Sequence, residues 1–122
     1  MMKDFIKASK AISDETRVRI LKLLENQELC VCQLMATLEM GQSTVSKHLG
    51  ILKNAELVEV RKDRTWSFYK LYTKGMNSYN SNLLKLLSSV LHDDSIILKD
   101  QERLEEVLTK DICELCSSGK RK

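Results

Sequence analysis

The chain has no proline, no internal repeat and no low-complexity linker, so nothing along its 122 residues marks a hinge between separately folding parts. Long apolar runs are missing too. Hydrophobic residues come in short bursts broken by charge, the longest near Leu83 to Leu91, and a spanning helix needs roughly 18 in a row. That excludes a membrane segment. The opening MMKDFIKASKAISDE lacks the apolar stretch and small-residue cleavage site of a secretory signal, so the expected compartment is the cytoplasm. In that compartment four cysteines point to metal or redox chemistry rather than to structural disulfides. With 43% hydrophobic and 30% charged residues, a chain of this length buries one core but hardly two. The expectation is a single domain over 1–116 and a flexible basic tail over 117–122.

A net charge of +3 looks bland until it is divided along the chain. Residues 1–41 balance at six basic and six acidic; residues 42–74 carry seven basic against three acidic; residues 75–119 carry four against eight; Lys120, Arg121 and Lys122 close the chain. The positive surplus thus sits in one central stretch, a plausible electrostatic footprint for phosphates.

Apolar spacing predicts a short helix over Lys3 to Ile12. A second follows, capped by Ser13 or Asp14, with Val18, Ile20, Leu21, Leu23 and Leu24 forming a broad stripe that ends near Asn26. A third starts near Leu29 and faces the core through Val31, Leu34, Met35 and Leu38. Glu39-Met40-Gly41 forms a turn, with Gly41 available for backbone angles other residues avoid. From Gln42 to Asn54 a fourth helix packs through Val45, Leu49 and Leu52 and leaves Gln42, Ser43, Ser46, Lys47 and Gly50 outside. Two helices around a short Gly-containing turn are the helix-turn-helix signature, and small polar outward residues suit a helix lying against base edges.

Next, LVEVRKDRTWSFYKL reads as two strands, Leu57 to Lys62 and Thr65 to Leu71, with Arg61, Lys62 and Arg64 at or beside the tip. A long helix after Lys74-Gly75 places Met76, Tyr79, Leu83, Leu86/Leu87 and Val90 on one face, and another runs from Ile96 to Leu115. These faces are more apolar than a small core requires, which favours a helical dimer interface over intramolecular packing. The fold class expected is mainly α with a small β-hairpin (α+β), a homodimeric winged helix-turn-helix.

DETRVRILKLL, ELCVCQL, GQSTVSKHLGILKNAELV and RKDRTWSFYKL, in that order over residues 10–74, resemble the ArsR family of metal- and metalloid-responsive repressors. ELCVCQL is similar to the arsenite- and cadmium/lead-sensing branches, and the resemblance implies a homodimer that releases its operator on binding a toxic ion. The third cysteine of the best-known arsenite sensors is replaced here by Met35, and the short N-terminal segment supplies none. His92, Asp93 and Asp94 lack the spacing of the family's paired zinc motifs, and His92 reads as a surface histidine.

Soft ions bind thiolates at about 2.3 Å, whereas residues two apart on a helix point about 200° apart. Cys30 and Cys32 therefore cannot share one ion while that helix starts regularly, and capture is expected to unwind its first turn and displace the recognition helix. Cys113 and Cys116, three apart on one helix face, can grip one ion without distortion. Arsenite takes three thiolates, so Cys30 and Cys32 are expected to be joined by Cys113, Cys116 or both.

The reading is a non-enzymatic DNA-binding repressor, homodimeric, whose inducer is As(III) or Sb(III), with Cd(II), Pb(II) or Zn(II) as alternatives and no organic cofactor. A thiol-redox sensor and, less well matched, a Cys-x-x-Cys oxidoreductase are the competing readings. The DNA-contacting set expected on double-stranded operator is Gln42, Ser43, Thr44, Ser46, Lys47 and His48, with Arg61, Lys62 and Arg64 from the wing.

Overall fold

The computed structural model describes residues 2–72, 78–112 and 115. The described elements run α1 (Met2–Ala11), α2 (Glu15–Leu23), β1 (Leu29–Cys30), α3 (Val31–Leu38), α4 (Gln42–Asn54), β2 (Val58–Asp63), β3 (Trp66–Leu71), α5 (Ser78–Ser88) and α6 (Ser95–Leu108). Polar side chains start several of these helices. Asp14 accepts from the Arg17 N–H at 3.0 Å and opens α2, while Asp94 accepts from the N–H groups of Ile96 and Ile97 at 2.9 and 3.2 Å and opens α6.

The helix-turn-helix forms where the spacing puts it, but the residue that bends the backbone is different. Glu39, with φ 57° and ψ 46°, takes the left-handed position that ends α3. Gly41 is extended at φ −74° and ψ 166° and serves as the N-cap of α4. The expectation that Gly41 supplies the unusual angles is corrected: the turn needs them at the end of α3, two residues earlier.

The hairpin gains a third strand that alternation alone does not reveal. Leu29 and Cys30 pair antiparallel with Tyr69 and Phe68, giving the sheet order β1-β3-β2. The third helix therefore begins at Val31 and not near Leu29, because Leu29 and Cys30 are spent on the sheet. Between β2 and β3 the register pairs Asp63 with Trp66, leaving Arg64 and Thr65 as the turn, with Arg64 at φ 61°.

Ile20, Leu21 and Leu23 of α2, Leu34 of α3, and Val45, Leu49 and Leu52 of α4 are fully buried together, with Leu29, Leu57 and Val58 closing the core from the sheet side. Burial of this kind contributes roughly 1.5–3 kcal/mol per large side chain. Leu84 and Leu87 of α5 pack against the same cluster.

α6 departs from expectation twice. Among the described residues it stops at Leu108, with Thr109 as C-cap, short of the expected Leu115. Its stripe of Ile97, Leu104 and Val107 is buried inside the chain against α2 and α3, where a dimer interface was expected. The Arg19 guanidinium locks this packing with two bonds to the Asp100 carboxylate, Nε to Oδ2 at 2.8 Å and Nη2 to Oδ1 at 2.9 Å. Lys22, also buried, donates to the carbonyls of Leu87 and Val90 at 3.0 and 2.9 Å and so satisfies the C-terminal end of α5. No described helix is long and apolar enough to cross a membrane.

Candidate nucleic-acid interface and cysteine site

On α4 the core residues Val45, Leu49 and Leu52 define the buried side, and Gln42, Ser43, Thr44, Ser46, Lys47 and Gly50 lie exposed opposite them. His48 does not join that surface. Its side chain is only 15% exposed, with Nδ1 3.2 Å from the Arg17 guanidinium and 3.8 Å from the Asp14 carboxylate. Arg17 also donates to the carbonyls of Ala11 at 2.7 Å and Lys10 at 3.3 Å. The ring is thus turned toward the α1–α2 junction, because the helix period that exposes Ser43 and Lys47 brings position 48 back to the flank of the buried stripe.

On the wing, Lys62 and Arg64 are exposed, whereas Arg61 is engaged. Its guanidinium pairs with the Glu28 carboxylate, Nε lying 3.3 Å from Oε2, and stacks 4.8 Å from the Phe68 ring centroid. The hydrogen bond from Arg61 holds the Glu28 carboxyl below its usual range, and the same bond raises Arg61 further above its own. The guanidinium is thus already paired with a carboxylate, although half of the side chain stays exposed. Glu28 directly precedes β1, whose pairing with β3 brings it beside the wing, and that pairing is not visible in the local sequence.

The sulfurs occupy different environments. Cys30 is free and 1% exposed, held as an extended N-cap whose N–H donates to Gln33 Oε1 at 2.9 Å. Cys32, the second residue of α3, is half-buried and disulfide-bonded. Cys30 ends β1 and caps α3 while Cys32 is the second residue of α3, so the two do not stand at two positions of one regular helix, as expected from their spacing. Cys113 and Cys116 lie outside the described residues, as do Met76 and the tail over 117–122. Among the described residues no group of three or more His, Cys, Asp or Glu is placed to hold a metal ion, and His92 is exposed.

Residues 14–60, spanning α2 to the middle of β2, match the family described as bacterial regulatory protein, arsR family. An arsenic resistance transcriptional regulator of Pseudomonas putida, ArsR2, is 33% identical over 98 residues, 76% of this chain and 84% of its own length. The chain belongs to the ArsR family. Members are DNA-binding repressors of transcription, not enzymes, which matches an exposed helix face beside a basic wing. A second relative of this ArsR-family chain, an uncharacterized HTH-type transcriptional regulator of Methanocaldococcus jannaschii, is 52% identical over 61 residues, 49% of this chain and 68% of its own. Against three further curated relatives the match spans only 50 to 57% of their length. Among solved structures, the homodimeric winged helix-turn-helix DNA-binding domain of Mb0332 from Mycobacterium bovis superposes with a TM-score of 0.62 at 26% identity, covering 72% of this chain and 78% of that one.

Proposed function

We propose that the chain acts as a homodimeric operator-binding repressor that lets go of DNA when Cys32 captures a soft ion, As(III) or Sb(III), together with Cys113 and Cys116. The observation that carries this reading is the position of Cys32 on the first turn of α3, the helix that leads through the Glu39 turn into the DNA-facing α4. The name of the Pseudomonas relative supports arsenic as the inducer. Arsenous acid condensing with three thiols releases three waters and needs no oxidant, so the reduced protein suffices. Cys30 joins the ligand set only by leaving the core and giving up its strand pairing with Phe68, which links ligation by the local pair to disruption of β1 and the start of α3. Cd(II), Pb(II) and Zn(II) accept the same thiolates and are the alternatives.

A second reading is favoured by one observation, the disulfide at Cys32. Cys30 is free, so it is not the sulfur paired with Cys32. In that reading two thiols surrender two electrons and two protons to an oxidant, and no ion is required.

Titrating the reduced protein on labelled operator DNA with arsenite, with cadmium and with the thiol oxidant diamide separates these readings. Release by arsenite, abolished both in Cys32→Ser and in Cys113→Ser/Cys116→Ser, is the expected result. Release by arsenite at an unchanged dose in Cys30→Ser/Cys32→Ser overturns the site, and release by diamide alone selects the redox reading.

A further inference from the structure

α3 carries a polar spine from its cysteine end to the turn before the recognition helix. The Cys30 N–H donates to Gln33 Oε1 at 2.9 Å, Thr37 Oγ1 donates to the Gln33 carbonyl at 2.7 Å, and the Arg103 guanidinium donates to the Thr37 carbonyl at 3.1 Å. Gln33 and Thr37 are both buried. The last link comes from α6, another helix altogether. Its Nη2 also stands 3.7 Å from the carboxylate of Glu39, the left-handed residue that ends α3.

The carbonyls in the last turn of a helix have no partner within it, and a cation there also meets the negative end of the helix dipole. Arg103 supplies both the donor and the charge. One helical turn earlier, Asp100 ties α6 to Arg19 of α2. α6 is therefore fixed to α2 at one point and grips the end of α3 at the next, with only Met40 and Gly41 between Glu39 and the first residue of α4. Beyond α6 the sequence leads to Cys113 and Cys116.

We propose that Arg103 is a positioning residue for operator recognition: by capping α3 from α6 it sets how the turn delivers α4 to the major groove, and it carries a change in α6 to that helix. The positioning part rests only on DNA binding; the coupling part rests on the thiol-effector reading above.

The test uses the full-length protein with Arg103→Ala and Arg103→Lys, measured for operator and non-specific DNA binding when reduced, and again with arsenite and with diamide. Arg103→Ala is expected to bind operator roughly 3- to 30-fold more weakly, the range a lost helix cap spans, with non-specific affinity unchanged. Whichever reagent releases the wild type should shift the variant by a much smaller factor, although the count of reactive thiols stays the same. Arg103→Lys, which keeps a donor for the Thr37 carbonyl, restores most of both. Wild-type operator affinity in Arg103→Ala overturns the proposal. So does an equal loss on both DNAs with a full reagent response, or a lysine variant as impaired as the alanine one, since these describe a residue that only stabilises the fold. A wild type that answers neither reagent sinks the thiol-effector reading alone, and the ratio of operator to non-specific binding still decides the positioning role.

Discussion

Asp14 does two jobs with one carboxylate. It caps α2 through the Arg17 N–H and faces the His48 ring across the junction with α4. The backbone hydrogen bond from Arg17 is the main cause holding its carboxyl below the ordinary range, with the charge of Arg17 adding to it and burial opposing. A carboxyl lowered on folding stabilises the fold above its unfolded pKa, about 3.9, and that contribution disappears as pH falls through the lower folded value. Asp14→Ala is therefore expected to cost about 1 kcal/mol at pH 7, as lost N-caps do. The difference from wild type should close in urea melts as pH drops below about 4. A gap that stays constant down to pH 2.5 would mean that the carboxylate charge contributes nothing there. Arg61 shows the same lesson on the wing: a cation chosen by sequence for phosphates is already held by Glu28, while Lys62 and Arg64 stand exposed.

At the scale of elements, legibility followed range. The three-to-four spacing of Leu34, Leu38, Val45, Leu49 and Leu52 records packing between neighbours in sequence, so the helix-turn-helix and the exposed set Gln42, Ser43, Thr44, Ser46 and Lys47 could be read directly. β1 could not, because a two-residue strand exists only through its pairing with Tyr69 and Phe68, about forty residues onward. The role of α6 was hidden for the same reason: an amphipathic stripe states that a face is buried, not against what. The clue was Asp100, an acid set three residues after Ile97 on the apolar side, whose partner lies 81 residues away. Breaking this pair should be expensive, since removing one member leaves the other charge buried. Asp100→Ala is expected to lose about 3 kcal/mol in chemical denaturation, and Arg19→Met/Asp100→Leu to recover most of it. A double variant no better than Asp100→Ala would show that the pair fixes the placement of α6 in a way apolar packing cannot replace.

Over the whole molecule, the exposed apolar side chains among the described residues lie mainly on α1 with α5 and on α6. Phe5 and Ile6 of α1 are 46% and 42% exposed, and the Phe5 ring meets Tyr79 of α5 edge-on at 5.5 Å. Along α5 that face continues through Leu83 to Leu86, 59% exposed, and reaches Val90 just beyond the helix. On α6, Ile96, Leu98 and Leu108 are exposed. A contiguous α1–α5 surface is what a two-fold partner would bury, and burying it would set the two α4 helices at a fixed separation. Helix-turn-helix dimers need that separation to match about one DNA turn, roughly 34 Å. The anchors of α5 are suited to this. Lys22 holds its end, and Asn80 donates to the carbonyls of Ala55 and Glu56 at 2.8 and 2.9 Å, immediately after the recognition helix. A load on α5 is thus passed to α4 with little slack. Leu86→Glu should convert the protein to monomers in sedimentation and abolish tight binding to a two-site operator, while leaving weak binding to a single half-site. Leu98→Glu, on α6, should leave both dimer and operator binding intact. Should Leu98→Glu split the dimer and Leu86→Glu spare it, the partner surface would lie on α6, and α5 would owe its exposed leucine to something other than self-association.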